Sequence, residues 1–175
     1  MSAAGSLHLW VLRHAKAAAQ GPGGDATRPL TGRGRRQAER VRAHLESLGT
    51  DYSLPSLCIS SPAVRARQTA ELVMPALPRA RLEFDEALYS KDADGLVDWL
   101  RMIDPEESSV MVVGHNPTFL ELCVMLAGDP EGEELESEGL PTAGLVVLEQ
   151  RDAIAWTELA PHGSRVVSRF APGKD

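Results

Sequence analysis

The sequence lacks several features that would indicate particular classes of protein. It has only two cysteines, Cys58 and Cys123, which lie in apolar segments without the spacing of a metal site. This usage is typical of buried thiols in a reducing compartment and not of a disulfide framework. No early apolar run approaches the roughly 20 residues of a membrane span, and residues 1–6 lack the basic start of a secretory signal. We therefore expect a cytoplasmic protein that has no membrane partner.

Basic residues are also not in excess. The chain has 18 Lys and Arg against 25 Asp and Glu, which gives a formal net charge of -7. A general nucleic-acid binder presents a basic surface, so we expect no nucleic-acid partner. The length of 175 residues and the hydrophobic content of 43% fit one domain with a substantial core, spanning residues 1–175.

Short apolar runs alternate with segments of helical periodicity. Buried strands are predicted at residues 7–11, 57–59 and 110–113 and a further strand at residues 81–84, and at least one helix follows most of them. Thr31 is the predicted start of the first helix, and Ser61 is predicted to cap the second, with Pro62 at its first position. This alternation predicts a three-layer α/β/α domain with a mostly parallel central sheet.

Three segments carry weaker patterns. Residues 17–29 contain Gly21-Pro22-Gly23-Gly24 and are predicted to form a loop, and the acidic residues 129–138 a second loop. Residues 145–148 and 154–159, joined through Arg151-Asp152, are predicted to form a hairpin. The hairpin predicts at least one antiparallel strand.

Ionisable residues follow the predicted strands or open the next helix, at Arg13-His14, Arg65, Glu86 and His115. Ligands bind at the carboxyl ends of strands in open α/β sheets. Guanidinium groups match phosphoryl oxygens, and Arg65 falls in the first turn of its helix, where backbone N–H groups also favour an anion. These residues predict a phosphoryl-transfer site.

His14 is the predicted nucleophile of this site. Its attacking nitrogen must be neutral, so the other ring nitrogen must donate to a fixed acceptor, which the sequence does not identify. Arg13, Arg65 and a protonated His115 are predicted to bind the phosphate. Lys16, Asp25 and Arg28 are candidates for the rim of the site, although surface roles suit them equally well.

Several motifs together resemble a known family. They are Leu-Arg-His-Ala at 12–15, Ser-Pro-Ala-Val-Arg-Ala at 61–66 with Thr69, and Gly-His-Asn-Pro at 114–117. In this order they resemble the histidine phosphatase (phosphoglycerate mutase-like) superfamily, with Ala15 where the family usually has Gly. Arg-His-Ala, Asp25 with Arg-Pro-Leu-Thr at 28–31, and Glu-Ala-Leu-Tyr at 86–89 resemble its SixA-like phosphohistidine phosphatase branch.

The resemblance implies a phosphoglycerate mutase-like fold and a covalent phosphohistidine intermediate on His14, formed without metal or cofactor. It places Glu86 at the position of the family's acid, where Glu86 would protonate a leaving group or activate the hydrolytic water. The implied partner is a phosphohistidine-bearing protein, such as a phosphocarrier domain, or a small phosphoester.

Three other functions remain open on the sequence. The chain could be a broad small-molecule phosphomonoesterase or a phosphoglycerate mutase-like enzyme, although a mutase usually needs covering elements that the sequence lacks. It could be a catalytically weak module that binds phosphoproteins. A metal-dependent hydrolase is least favoured, because neither His14 nor His115 has a carboxylate nearby at ligand spacing.

Overall fold

The computed structural model describes residues 6–49, 53–150 and 155–173, which build a six-stranded sheet covered by helices. The strands are β1 (His8–Arg13), β2 (Leu57–Ser60), β3 (Arg81–Phe84), β4 (Ser109–Gly114), β5 (Leu145–Gln150) and β6 (Ser164–Phe170). The helices are α1 (Gly32–Ser47), α2 (Val64–Val73), α3 (Ala87–Ser90), α4 (Ala93–Leu100), α5 (Thr118–Ala127) and α6 (Glu131–Glu138). Short 3-10 turns cover Asp25–Thr27, Met74–Ala76 and Trp156–Glu158. Among these described helices, none has the length and apolar character to cross a membrane.

The strand order is β3-β2-β4-β1-β5-β6. β1, β2, β3 and β4 run parallel to one another, whereas β5 is antiparallel to both β1 and β6. The predicted mostly parallel sheet with at least one antiparallel strand is therefore confirmed. Because β1, β2 and β4 are adjacent and parallel, their carboxyl ends lie together at one edge of the sheet.

Alternate residues of β1 face two separate cores. Leu9 and Val11 pack in the cluster formed with α4 and α5, whereas Trp10 and Leu12 pack in the cluster formed with α1 and α2. All four side chains are fully buried. A strand buried on both faces explains the nearly continuous apolar run, and the predicted three-layer α/β/α arrangement is confirmed.

The two predicted helix starts have different outcomes. Thr31 caps α1, since its Oγ1 accepts a hydrogen bond from the backbone N–H of Gly34. The prediction for the second helix is wrong, because α2 begins at Val64 after Ala63, and no side chain caps it. The hydroxyl of Ser61 instead lies 2.8 Å from Nε2 of His115. This serine faces the candidate site described below.

The prediction of a loop at residues 129–138 is also wrong, because α6 occupies most of this segment. Leu135 and Gly132 are its buried residues, and a Cβ on Gly132 would lie 3.0 Å from the Val124 carbonyl oxygen of α5. Glutamates in the first turn suit the positive end of the helix. Because Leu135 is the one buried apolar side chain of α6, the sequence shows no helical repeat of apolar residues here. Packing against α5 therefore stabilises this helix.

The second strand of the hairpin lies further along the chain than predicted. β5 pairs with Ser164–Phe170, while Trp156–Glu158 forms a 3-10 turn with Trp156 and Leu159 buried. The apolar character of residues 155–159 therefore reflects burial of a turn and not strand pairing. The predicted connection at Arg151-Asp152, and Ile154, lie outside the described residues.

Candidate active site

Strand register brings three chain segments together at the carboxyl edge of the sheet. Arg13, the last residue of β1, pairs with Gly114, the last residue of β4. The backbone N–H of His14 donates to the Gly114 carbonyl over 2.9 Å, and that of Ser61 donates to the Val113 carbonyl over 2.9 Å. The segments that follow β1, β2 and β4 therefore start side by side, and each carries residues of the predicted site.

The imidazole of His14 is held in one tautomer. Its Nδ1 lies 2.8 Å from the carbonyl oxygen of Ala15. A carbonyl only accepts hydrogen bonds, so Nδ1 carries the proton and Nε2 keeps its lone pair. The acceptor that the sequence did not identify is thus the backbone of the next residue. The Ala15 N–H in turn donates to Thr69 Oγ1 over 3.0 Å, which ties this loop to α2.

His14 is also held in its neutral form. Burial lowers its pKa to about 4, and the positive charges of Arg65, Arg13 and Arg28 act in the same direction, while the hydrogen bond to Ala15 opposes them. Only 8% of the residue is exposed. Near neutral pH the ring is therefore unprotonated at Nε2, the form that nucleophilic attack requires.

Arg65 lies directly against the lone pair of His14. From the first turn of α2, its Nε–H donates to His14 Nε2 over 3.2 Å. Its Nη1 donates to the Asp25 carbonyl over 2.8 Å, and its Nη2 donates to Asp25 Oδ2 over 3.0 Å. Only 5% of Arg65 is exposed, so the guanidinium has a fixed position. Arg67, two residues on, instead stacks over the Phe84 ring at 4.6 Å.

His115 lies beside His14, with 5.1 Å between the ring centroids. Its Nε2 is 2.8 Å from Ser61 Oγ, and its buried Nδ1 has no partner among the described residues. Burial, followed by the neighbouring His14 and Arg65, lowers its pKa to about 3. His115 is therefore neutral near neutral pH without an anion beside it, and its protonation by a bound phosphate stays a prediction. A bound phosphoryl dianion would favour the protonated form.

Arg13 is half-buried, and burial lowers its pKa. Its Nη1 donates to the Leu140 carbonyl over 2.8 Å, while its Nε is buried without a partner within the part of the chain that the structure describes. Buried donors of this kind normally have an acceptor. An anion in the adjoining cavity would supply one.

A cavity of about 210 Å³ joins these side chains. Its lining includes the predicted residues Arg13, His14, Lys16, Arg28, Arg65 and His115, together with Ala17, Asn116 and Thr142. Lys16 is exposed and Arg28 half-buried. No carboxylate is among these lining residues, so four cationic side chains surround the space. In a chain with net charge -7, this local excess of positive charge favours an anion.

Glu86 does not line the cavity, in contrast to the other predicted catalytic residues Arg13, His14, Arg65 and His115. It is exposed at the start of α3, and its side chain makes no hydrogen bond or ion pair with another described residue. The carboxylate that contacts the site is Asp25, which binds Arg65, Arg28 and Tyr89. The role of Glu86 stays a prediction.

The sequence did not identify Asn116, Thr142 or Ser61 as site residues. Asn116 belongs to the Gly-His-Asn-Pro motif, and its Nδ2 donates to the Leu140 carbonyl over 2.9 Å. Thr142 accepts from Gln37 Nε2 over 3.1 Å and comes from the loop before β5, which carries no motif. Across residues 6–49, 53–150 and 155–173, no three His, Cys, Asp or Glu residues are grouped so as to hold a metal ion.

Comparison with known proteins gives consistent matches. The family model of the histidine phosphatase superfamily (branch 1) matches residues 9–99. The uncharacterized protein Rv1276c of Mycobacterium tuberculosis (strain ATCC 25618 / H37Rv) is 32% identical over 168 residues, which cover 92% of this chain and 99% of that protein.

Two solved structures are similar over nearly the whole chain. The "putative phosphohistidine phosphatase SixA" from Agrobacterium tumefaciens has a TM-score of 0.78 at 30% identity, with 95% of this chain and 98% of that chain covered. The "Putative Phosphohistidine Phosphatase SixA" from Nakamurella multipartitia has a TM-score of 0.81 at 25% identity, with 96% and 97% covered. The structural likeness therefore extends well beyond the segment that the family model matches.

Proposed function

Since the chain belongs to the histidine phosphatase superfamily, branch 1, we propose that it removes the phosphoryl group from phosphohistidine in a protein, through a covalent phosphohistidine on His14 and without a metal ion. One observation carries the proposal. The His14 ring is neutral, with its proton fixed on Nδ1 by Ala15 and its Nε2 lone pair beside Arg65, in a cavity lined by cations.

In the first step, Nε2 of His14 attacks phosphorus while the P–N bond of the substrate breaks in line. The electron pair of that bond goes to the departing imidazole nitrogen, and the substrate ring, which carries a proton on its other nitrogen, leaves as neutral imidazole. Nδ1 of His14 keeps its own proton, which stays hydrogen-bonded to the Ala15 carbonyl oxygen. The Arg65 Nε–H must leave Nε2 for a phosphoryl oxygen, which frees the lone pair. The transferred group carries negative charge on its equatorial oxygens, so the surrounding cations stabilise the transition state.

Arg13, Arg65 and His115 are the proposed phosphate-binding residues, with Lys16 and Arg28 at the rim. Nε of Arg13 and Nδ1 of His115 are buried without a partner among the described residues. Each would donate to a phosphoryl oxygen, the His115 nitrogen when it carries a proton. In the second step, water attacks phosphorus, the P–Nε2 bond breaks, and inorganic phosphate leaves with the neutral His14 restored.

The absence of a carboxylate among the described cavity-lining residues supports a phosphohistidine substrate. Imidazole is a much better leaving group than an alkoxide, so P–N cleavage needs less help from a general acid. The cavity of about 210 Å³ accommodates a phosphoryl group that is carried on the side chain of a protein.

The test is a substrate panel that pairs a phosphorylated histidine phosphocarrier domain with p-nitrophenyl phosphate, sugar phosphates and phosphoglycerate. We expect the highest kcat/KM on the phosphocarrier domain, no turnover by His14→Ala, and undiminished turnover in excess chelator. Preference for small esters would assign a broad phosphomonoesterase instead. Tight binding of the phosphodomain without turnover would assign a binding module.

A further inference from the structure

Asp25 connects the candidate site to the loop between β1 and α1. Its carboxylate accepts hydrogen bonds from Arg65 Nη2 at 3.0 Å, Arg28 Nε at 2.9 Å and the Tyr89 hydroxyl at 2.9 Å. Its backbone carbonyl also accepts from Arg65 Nη1 at 2.8 Å. One residue thus contacts two of the cations that line the cavity, although it is not itself among the lining residues.

These contacts determine which edge of Arg65 faces His14. A guanidinium is planar and presents five N–H donors in a fixed fork. Both Nη atoms point to Asp25, and the Nε–H points to His14 Nε2 at 3.2 Å. The edge that carries Nε and the second hydrogen of Nη2 is therefore the one directed at the nucleophile. Rotation of Arg65 would require both bonds to Asp25 to break.

Tyr89 supports this arrangement from the other side. Its hydroxyl donates to the carboxylate oxygen that also accepts from Arg65, and its ring lies edge-on to His115 with 5.4 Å between centroids. The hydrogen bond from Tyr89, followed by the contacts with Arg65 and Arg28, lowers the pKa of Asp25 to about 2. Asp25 is therefore a carboxylate near neutral pH and only accepts hydrogen bonds.

We propose that Asp25, supported by Tyr89, is a positioning residue that fixes the Nε edge of Arg65 toward the phosphoryl group. This inference rests on the proposed function. Asp25 acts through Arg65 and not as an acid or base, because its carboxylate does not line the cavity and already accepts hydrogen bonds from three donors. The arrangement also requires arginine at residue 65, since lysine has no edge to orient.

The test combines substitutions at Asp25, Tyr89 and Arg65 in a double-mutant cycle. We expect Asp25→Asn to lower kcat/KM about tenfold and to weaken competitive binding of inorganic phosphate by a similar factor. Tyr89→Phe should act in the same direction by a smaller factor. In an Arg65→Lys background, Asp25→Asn should change kcat/KM less than about twofold, because residues that act through each other are not additive.

Asp98→Asn is the matched control. It removes the same negative charge from a side chain on α4 that is 77% exposed and forms an ion pair with Arg101. This substitution should leave kcat/KM unchanged. If Asp25→Asn has no effect, or costs the same factor in both backgrounds, the positioning role is refuted.

A second readout does not depend on turnover. The ¹⁵N–¹H signal of Arg65 Nε should be protected from exchange in the wild type and exposed in Asp25→Asn. Should the signal be equally protected in both proteins, the proposal is wrong even if the enzyme is active. Protected Nε in a protein that dephosphorylates nothing would instead refute the proposed function alone.

Discussion

Lowering the pH from about 7 to about 5 is expected to destabilise the protein through His14 and His115. Their pKa values are lowered to about 4 and about 3 in the folded chain, from 6.5 when unperturbed. Between these values the unfolded chain binds more protons than the folded chain, so the free energy of unfolding falls as the pH falls. The stabilisation is complete above the unfolded pKa and is progressively lost below it.

The magnitude follows from the pH interval. At pH 5 the unfolded imidazoles are almost fully protonated and the folded ones are neutral. One pKa unit corresponds to about 1.4 kcal/mol, so the interval of about 1.5 units below 6.5 costs about 2 kcal/mol per histidine. The two histidines together remove about 4 kcal/mol, a large fraction of the 5–15 kcal/mol typical of a domain.

Urea unfolding at the two pH values, followed by circular dichroism, measures this difference. The His14→Asn and His115→Asn variants should each reduce the loss on acidification by about 2 kcal/mol, whatever their stability at pH 7. His44, whose pKa is also lowered by burial, is unchanged in both variants and cancels in the comparison. An equal loss on acidification in the wild type and both variants would refute the reasoning.

Three further outcomes are expected. Arg65→Lys should lower kcat/KM by about 10²-fold or more, because it removes the donor edge beside the nucleophile. Arg67→Lys is the control and should leave kcat/KM unchanged, since Arg67 lies over the Phe84 ring. Similar losses in both variants would contradict the assignment. The value of kcat/KM should fall on acidification with a midpoint near pH 4 to 5, because protonation of His14, whose pKa is about 4, removes the nucleophilic lone pair. A midpoint near pH 6.5 in folded enzyme would contradict the lowered pKa of His14. Glu86→Gln should slow alkyl phosphate cleavage more than phosphohistidine cleavage, and equal losses would remove the leaving-group argument.

The central part of the site could be predicted because strand ends in a parallel sheet are spatial neighbours. His14 and His115 directly follow β1 and β4, and Arg65 opens the helix after β2. Their positions in the chain relative to the strands therefore predict that they lie close together. Glu86 occupies an equivalent position after β3, but β3 is an edge strand, so the same rule places it at the margin of the sheet.

The remaining site residues depend on the path of loops. Asp25 and Thr142 lie in connections between strands and helices, where the spacing of hydrophobic residues does not predict the conformation. Asp25 contacts Arg65 and Thr142 contacts Gln37, and both partners are far away in the sequence. The acidic helix α6 was missed for a related reason, because Leu135 alone provides too little apolar pattern. Packing between distant segments, and not local propensity, determines these features.

The most direct test of the account is the identity of the phosphorylated atom during turnover. Wild-type enzyme would be mixed with a phosphorylated histidine phosphocarrier domain, quenched rapidly in alkali, digested and examined by mass spectrometry. The account predicts an acid-labile, alkali-stable phosphoryl group on Nε2 of His14, and its absence in His14→Ala. Turnover by the wild type with the phosphoryl group on another residue, or sustained turnover by His14→Ala, would contradict it.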